Sequence, residues 1–231
     1  MKGYFVTGTD TGIGKTRVSA GLLKALSNAG MKSAGMKPVA SGAEQTPHGL
    51  RNEDALALMA AASLKKPYAV VNPYCFAPPV APHLAAREAQ VEIEMDPIRA
   101  AYAELCRGAD AVVVEGVGGW QVPLSAGLEV PDLTREFDLP VLLVVGMRLG
   151  CLNHALLTAR AIRADGLELG GWVANGIDPD FQRPEANLAT LEAELGAPLL
   201  ARLEYAPKAP LAETAAGLAE AAAALAQLPR Q

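Results

Sequence analysis

The nine residues GTDTGIGKT, 8–16, lie between an apolar run, Tyr4-Phe5-Val6, and a segment in which Val18, Leu22 and Leu26 recur at helical spacing. Gly12 and Gly14 let consecutive backbone N–H groups converge on an anion, Lys15 supplies a cation for outer phosphates, and Thr16 offers a hydroxyl to Mg²⁺. The strict phosphate-loop pattern asks for Gly, four residues, then Gly-Lys-Ser/Thr. Here Thr9 stands where the leading Gly belongs, and Gly8 comes one place early. The anion-holding part from Gly12 to Thr16 is nevertheless complete. Strand, phosphate-binding turn and helix are expected in that order.

The same alternation continues along the chain. Strands are expected at Tyr4 to Thr7, Ser33 to Val39, Ala111 to Glu115, Val141 to Val145, Gly171 to Asn175 and Leu199 to Leu203. Four of them are continuous apolar runs, the mark of parallel strands covered by helices on both faces. Crossover helices are expected at Thr16 to Ala29, Glu53 to Ala62, Pro97 to Arg107, Leu152 to Ala164 and Glu185 to Leu195. The pattern predicts an α/β fold with a doubly wound, mostly parallel sheet flanked by helices, similar to the P-loop NTPases, in a single domain spanning residues 1–231. Five prolines between Pro67 and Pro82 mark that stretch as an ordered loop or short excursion. The Ala-rich tail LAETAAGLAEAAAALAQL, 211–228, reads as a surface helix.

With 231 residues, 51% hydrophobic and 19% charged, the chain is large enough to bury a substantial core. Twenty Lys and Arg against 25 Asp and Glu leave a net charge of −5, which disfavours nucleic acid and anionic membranes as partners. Cys75, Cys106 and Cys151 form neither a disulfide framework nor a CxxC metal site, as expected of a cytoplasmic protein. No run approaches the roughly 18 apolar residues of a membrane span, and the start does not read as a signal peptide.

Ligands of open parallel sheets bind beyond the carboxyl ends of the strands. That rule singles out Gly8 to Thr16, Lys37 to Ser41, Glu115 to Gly119, Gly146 to Asn153 and Asn175-Gly176. Glu115 ends an apolar strand, where a buried charge needs a partner and can face a metal. Asp54, in GLRNEDALAL, can be a second carboxylate for Mg²⁺ or an ordinary acid of a helix's first turn. Lys37 ends the second strand, with Ser41 four residues on; beside a nucleotide it can stabilise a moving phosphoryl group. Asn175 can meet a purine edge or simply make a turn before Gly176. The helix start at Gly150 can hold a carboxylate.

Taken together, YFVTGTDTGIGKT, GMKPVASG, GLRNEDALAL, VVNPYCFAPPVAPHLAA, VVVEGVGGWQVPL, VLLVVGMRLGCLNHALLTA and GGWVANG closely resemble the dethiobiotin synthetase family, over about residues 3–203 and in the same order. The family carries the same early-Gly loop. The resemblance implies a cyclo-ligase of biotin biosynthesis that uses ATP, Mg²⁺, CO₂ and 7,8-diaminononanoate and works as a homodimer. It implies Lys37 and Lys15 as catalytic groups and Thr16, Asp54 and Glu115 as metal ligands. Gly12, Ile13, Gly14, Lys15, Thr16 and Arg17 would hold the phosphates, with Gly116, Val117 and Gly118 alongside. Asn175, Gly176, Glu204, Tyr205 and Ala206 would surround the adenine. Thr11, Ser41 and Gly118 would meet the diamine, and Gly150, Cys151, Leu152 and Asn153 its carboxylate, across the dimer interface. Two departures stand out: after the last strand the family often has a Pro where this chain has LEYAP, and Asn187 occupies a place where some members have Tyr. Partitioning and cargo-targeting ATPases resemble one another in a second Lys early in the loop. This chain has Asp10 there.

Overall fold

The computed structural model describes residues 2–227. Among these, six strands form the central sheet: β1 (Lys2–Gly8), β2 (Ser33–Met36), β3 (Ala111–Glu115), β4 (Val141–Met147), β5 (Leu169–Gly176) and β6 (Leu199–Leu203). All pair in parallel, in the order β6-β5-β4-β1-β3-β2. The chain runs from β1 to one edge, returns to place β3 beside β1, and then builds the other half outward from β4. The order reverses at β1, so the crevice forms at the end of β1 that carries the phosphate-binding turn.

The principal helices are α1 (Lys15–Asn28), α2 (Glu53–Ala61), α3 (Met95–Cys106), α4 (Val130–Phe137), α5 (Cys151–Ala164), α6 (Pro184–Glu194), α7 (Leu211–Gly217) and α8 (Ala219–Gln227). Strand residues alternate between two buried layers. Phe5, Val112, Val114, Leu143, Val145 and Trp172 share one core with Leu105, Leu133, Ala155 and Ile162. Tyr4, Val6, Val113, Leu142, Val144 and Val173 share the other with Val18, Leu22, Leu26, Leu218 and Leu225. Both faces are therefore covered, which is why four of these strands read as unbroken apolar runs.

Several elements differ from the sequence expectation, among them the following three. The second strand stops at Met36 instead of continuing to Val39, because Pro38 has no N–H to give the ladder. Val39–Ala40 forms instead a separate two-stranded piece with Tyr74–Cys75, inside the proline-rich excursion. Helix α4, absent from the expected set, is started by a reciprocal capping box between Glu129 and Asp132 with Pro131 in its first turn. The tail forms two helices, not one, and they are not merely superficial: Thr214, Ala215, Leu218, Ala221 and Leu225 are buried. Leu228, the last residue of the expected tail helix, lies outside the described residues. No helix among the described residues is long and apolar enough to cross a membrane.

Candidate active site

The phosphate-binding turn is shaped by its glycines. Gly14 sits at φ +91°, a left-handed conformation that disfavours a Cβ, and caps α1 with no side chain over the helix start. The first N–H groups of α1 are thus left for a ligand. A Cβ at Gly14 would lie 2.2 Å from Asn175 Nδ2, so the missing side chain also makes room for that amide.

Asn175 is buried and already bonded. Its Nδ2 donates to Ile13 O at 2.8 Å, and its Oδ1 accepts from Arg17 Nη1 at 3.0 Å. Arg17 Nη1 also reaches Glu204 O at 3.1 Å. Asn175 therefore braces the loop from the end of β5, a duty the sequence reading missed; only the spatial meeting of residues 13 and 175 reveals it. A cleft of about 160 Å³ opens beside this brace, lined by Met147, Gly176, Phe181, Leu203, Glu204 and Tyr205 among others.

Register brings the charged residues together. Met36 of β2 pairs with Val114 of β3, so the next residues, Lys37 and Glu115, fall side by side. Lys37 Nζ donates to Glu115 Oε1 at 2.7 Å, Asp54 Oδ2 at 2.8 Å and Gly116 O at 3.0 Å. Thr16 Oγ1 lies 2.6 Å from Asp54 Oδ1 and 2.9 Å from Glu115 Oε1, so its single proton is shared between the two carboxylates. Asp54 reaches this point because Asn52 caps α2, accepting from Ala55 N at 3.3 Å, which puts Asp54 in the first turn. Burial opposes the Lys37 charge, but Glu115 and Asp54 outweigh it and hold that ammonium above the ordinary lysine range. Burial likewise opposes the Asp54 carboxylate, yet Lys37 holds it below the usual range.

Lys15 behaves oppositely. Its Nζ donates to Gly118 O at 2.6 Å and Asp10 O at 2.8 Å, so both lysines are anchored by carbonyls of the 116–118 loop. Burial, then the Lys37 charge, pushes Lys15 down to about 8. Asp10 in turn takes Arg148 Nη2 at 2.8 Å. Asp10 and Arg148 lie within the loops singled out from the sequence, but neither was given a part in binding or chemistry.

The remaining residues are more dispersed. Ser41 meets the cluster only through its carbonyl, 3.4 Å from Asn52 Nδ2. Thr11 is exposed, its N–H bonded to Asp10 Oδ1. Gly150 caps α5; Cys151 is buried, whereas Asn153 is exposed, and Leu149 beside them is 91% exposed. Asn187 sits in α6 with its amide bonded to Arg183 O.

The family model described as AAA domain matches residues 2–210. The ATP-dependent dethiobiotin synthetase of Xanthomonas axonopodis pv. citri (strain 306) is 54% identical over 98% of this chain and 98% of its own. That of Pseudomonas aeruginosa (strain UCBPP-PA14) is 55% identical over 94% of this chain and 96% of its own. The chain belongs to the dethiobiotin synthetase family. Solved structures of lower identity share the fold alone. The MinD cell division protein of Aquifex aeolicus superimposes with a TM-score of 0.58 at 15% identity, over 98% of this chain and 96% of that one. A ParA family ATPase from Chlorobium tepidum TLS gives 0.58 at 13%, over 95% and 92%. The dethiobiotin synthetase resemblance read from scattered motifs thus extends over nearly the full chain.

Proposed function

We infer that this chain catalyses ATP-dependent dethiobiotin synthesis, and the observation that carries the reading is identity above 50% to dethiobiotin synthetases along almost the whole chain. In the reaction we propose, one amine of 7,8-diaminononanoate takes up CO₂ and loses a proton to give a carbamate. A carbamate oxygen attacks the γ-phosphorus of ATP, and ADP leaves. The second amine then attacks the carbonyl carbon of the resulting carbamic-phosphoric anhydride, expels phosphate, loses its proton and closes the ureido ring. Phosphorylation supplies the leaving group that a carbamate lacks.

Lys37 and Lys15 would neutralise the carbamate and the transferring phosphoryl group. Their shared anchoring on one loop supports that pairing. The open start of α1 and the turn before it would hold the phosphates, and the cleft at Gly176, Glu204 and Tyr205 suits the base. Thr16, Asp54 and Glu115 fit Mg²⁺: they are hard oxygen donors, and Glu115 Oε2 is buried with no hydrogen-bond partner among the described residues. When bound there, Mg²⁺ would offset charge on the phosphate oxygens.

Ser41 and Thr11 would line the diamine, and the helix start at Gly150 to Asn153 its carboxylate. The exposed Leu149 beside that helix start supports an interface between two copies of the chain. Three free cysteines and the biosynthetic role favour the cytoplasm. The switch ATPases share the fold, but Asp10, tied to Arg148, stands where they resemble one another in carrying a Lys.

The test is direct. Purified protein given ATP, Mg²⁺ and bicarbonate should release phosphate only on addition of 7,8-diaminononanoate, with dethiobiotin detected by mass. Hydrolysis independent of the diamine would overturn the reading.

A further inference from the structure

Lys37 lies just past the end of its strand, and its own backbone is not held by the sheet. Its N–H donates to Val71 O at 2.8 Å, and its C=O accepts from Asn72 Nδ2 at 2.7 Å. Asn72 is 2% exposed and fully engaged: Nδ2 also donates to Tyr74 O at 2.9 Å, and Oδ1 accepts from Tyr68 Oη at 2.9 Å. Tyr68 Oη accepts in turn from Asn52 N at 2.8 Å, and Asn52 is the residue that caps the helix carrying Asp54. The Arg51 guanidinium lies over the Tyr68 ring, 4.1 Å from its centre, a cation–π contact.

A continuous chain of hydrogen bonds therefore runs from the Lys37 carbonyl through Asn72 and Tyr68 to the start of α2. Its two ends carry the ammonium and the carboxylate that meet at 2.8 Å in the site. We propose that Asn72 and Tyr68 are positioning residues that hold Lys37 and Asp54 in one fixed spacing, although neither side chain belongs to the phosphate-binding loop. Pro38 makes the device necessary, because the ladder that would otherwise fix this backbone ends at Met36. A shift of the ammonium by about 1 Å is enough to cost on the order of 10²-fold in rate. The proposal rests on the role given to Lys37 in the function proposed above.

The test compares N72A, Y68F and the double variant by kcat, by KM for ATP and the diamine, and by nucleotide affinity. N72A should lose about 10- to 100-fold in kcat, while nucleotide affinity stays within about threefold, because the phosphate-binding turn is untouched. Y68F keeps the ring and its packing and should lose kcat in the same sense. The double variant should be no worse than N72A, since either change breaks the same chain. Wild-type kcat in N72A or in Y68F, multiplicative losses in the double variant, or a fall in nucleotide affinity equal to the fall in kcat would each overturn the proposal. Absence of diamine-dependent turnover in the wild type would instead overturn the functional reading itself.

Discussion

Lys37 and Glu115 meet at 2.7 Å on adjacent parallel strands, one residue beyond the last ladder pair, with Glu115 wholly buried and Lys37 nearly so. Such a pair is costly to break from one side, because the survivor is left as an uncompensated buried charge.

Lys37→Ala should leave nucleotide affinity nearly intact and lower turnover by roughly two or more orders of magnitude. It should also lower stability by about 3 kcal/mol or more in the absence of Mg²⁺ and nucleotide. Steady-state rates and denaturant titration check the two halves separately. Near-normal turnover would remove Lys37 from the chemistry.

Lys15, pushed down to about 8 in the free protein, should regain a proton when a polyphosphate arrives. Nucleotide binding should then take up close to no protons at pH 7 and approach one between about pH 8 and 10. Calorimetry in buffers of different ionisation enthalpy measures this. For stability the sign is opposite to that of a salt-bridged lysine: the unfolded chain holds this proton to a higher pH, so its burial penalty is fully present below pH 8 and is relieved as pH rises toward 10.5. Proton uptake as large at pH 7 as at pH 9 would contradict the depressed value.

Gly14→Ala places a Cβ at 2.2 Å from Asn175 Nδ2 on a left-handed backbone. We expect at least a tenfold loss of nucleotide affinity with a stability loss of about 1–3 kcal/mol. Unchanged affinity in an equilibrium binding assay would show that the brace between Asn175 and the loop is dispensable.

A Cβ at Gly21 of α1 would come within 2.7 Å of Leu218 Cδ1 and Thr214 Cγ2. Gly21→Val should destabilise the protein by about 1–3 kcal/mol through overpacking of α7 and α8 on α1. Nucleotide affinity, measured well below the melting temperature, should change less than threefold. A stability equal to wild type would mean that the two C-terminal helices yield at no cost.

Much of this was legible in the chain itself. All six strands were expected, four of them as continuous apolar runs, and GKT in register with a strand and a helix located the phosphate-binding turn. Lys37, Asp54 and Glu115 could be nominated because a charge at a strand end or helix start carries a local signature. What escaped has no such signature. Asn175 reads as a turn residue until Ile13 and Arg17 are seen at its amide. Asn72, quoted within a family motif, and Tyr68, two residues before that motif, showed no chemistry of their own, because what they touch depends on where Lys37 ends up. Helix α4 escaped because its cap, Glu129 with Asp132, is acidic rather than the Ser/Thr-x-x-Glu spelling by which such starts are usually noticed.

The Thr16 hydroxyl touches carboxylates 38 and 99 positions away, and the Ile13 carbonyl depends on an amide 162 positions away. Contacts of such long sequence separation carry a large loop-closure cost. A nascent chain that has emerged only through β4 already owns both lysines and both acids, with the contacts of the turn to Gly118, Asp54 and Glu115, yet it lacks the amide of Asn175 that takes the Ile13 carbonyl. The brace that Asn175 gives the phosphate-binding turn is thus completed only when the fifth strand docks.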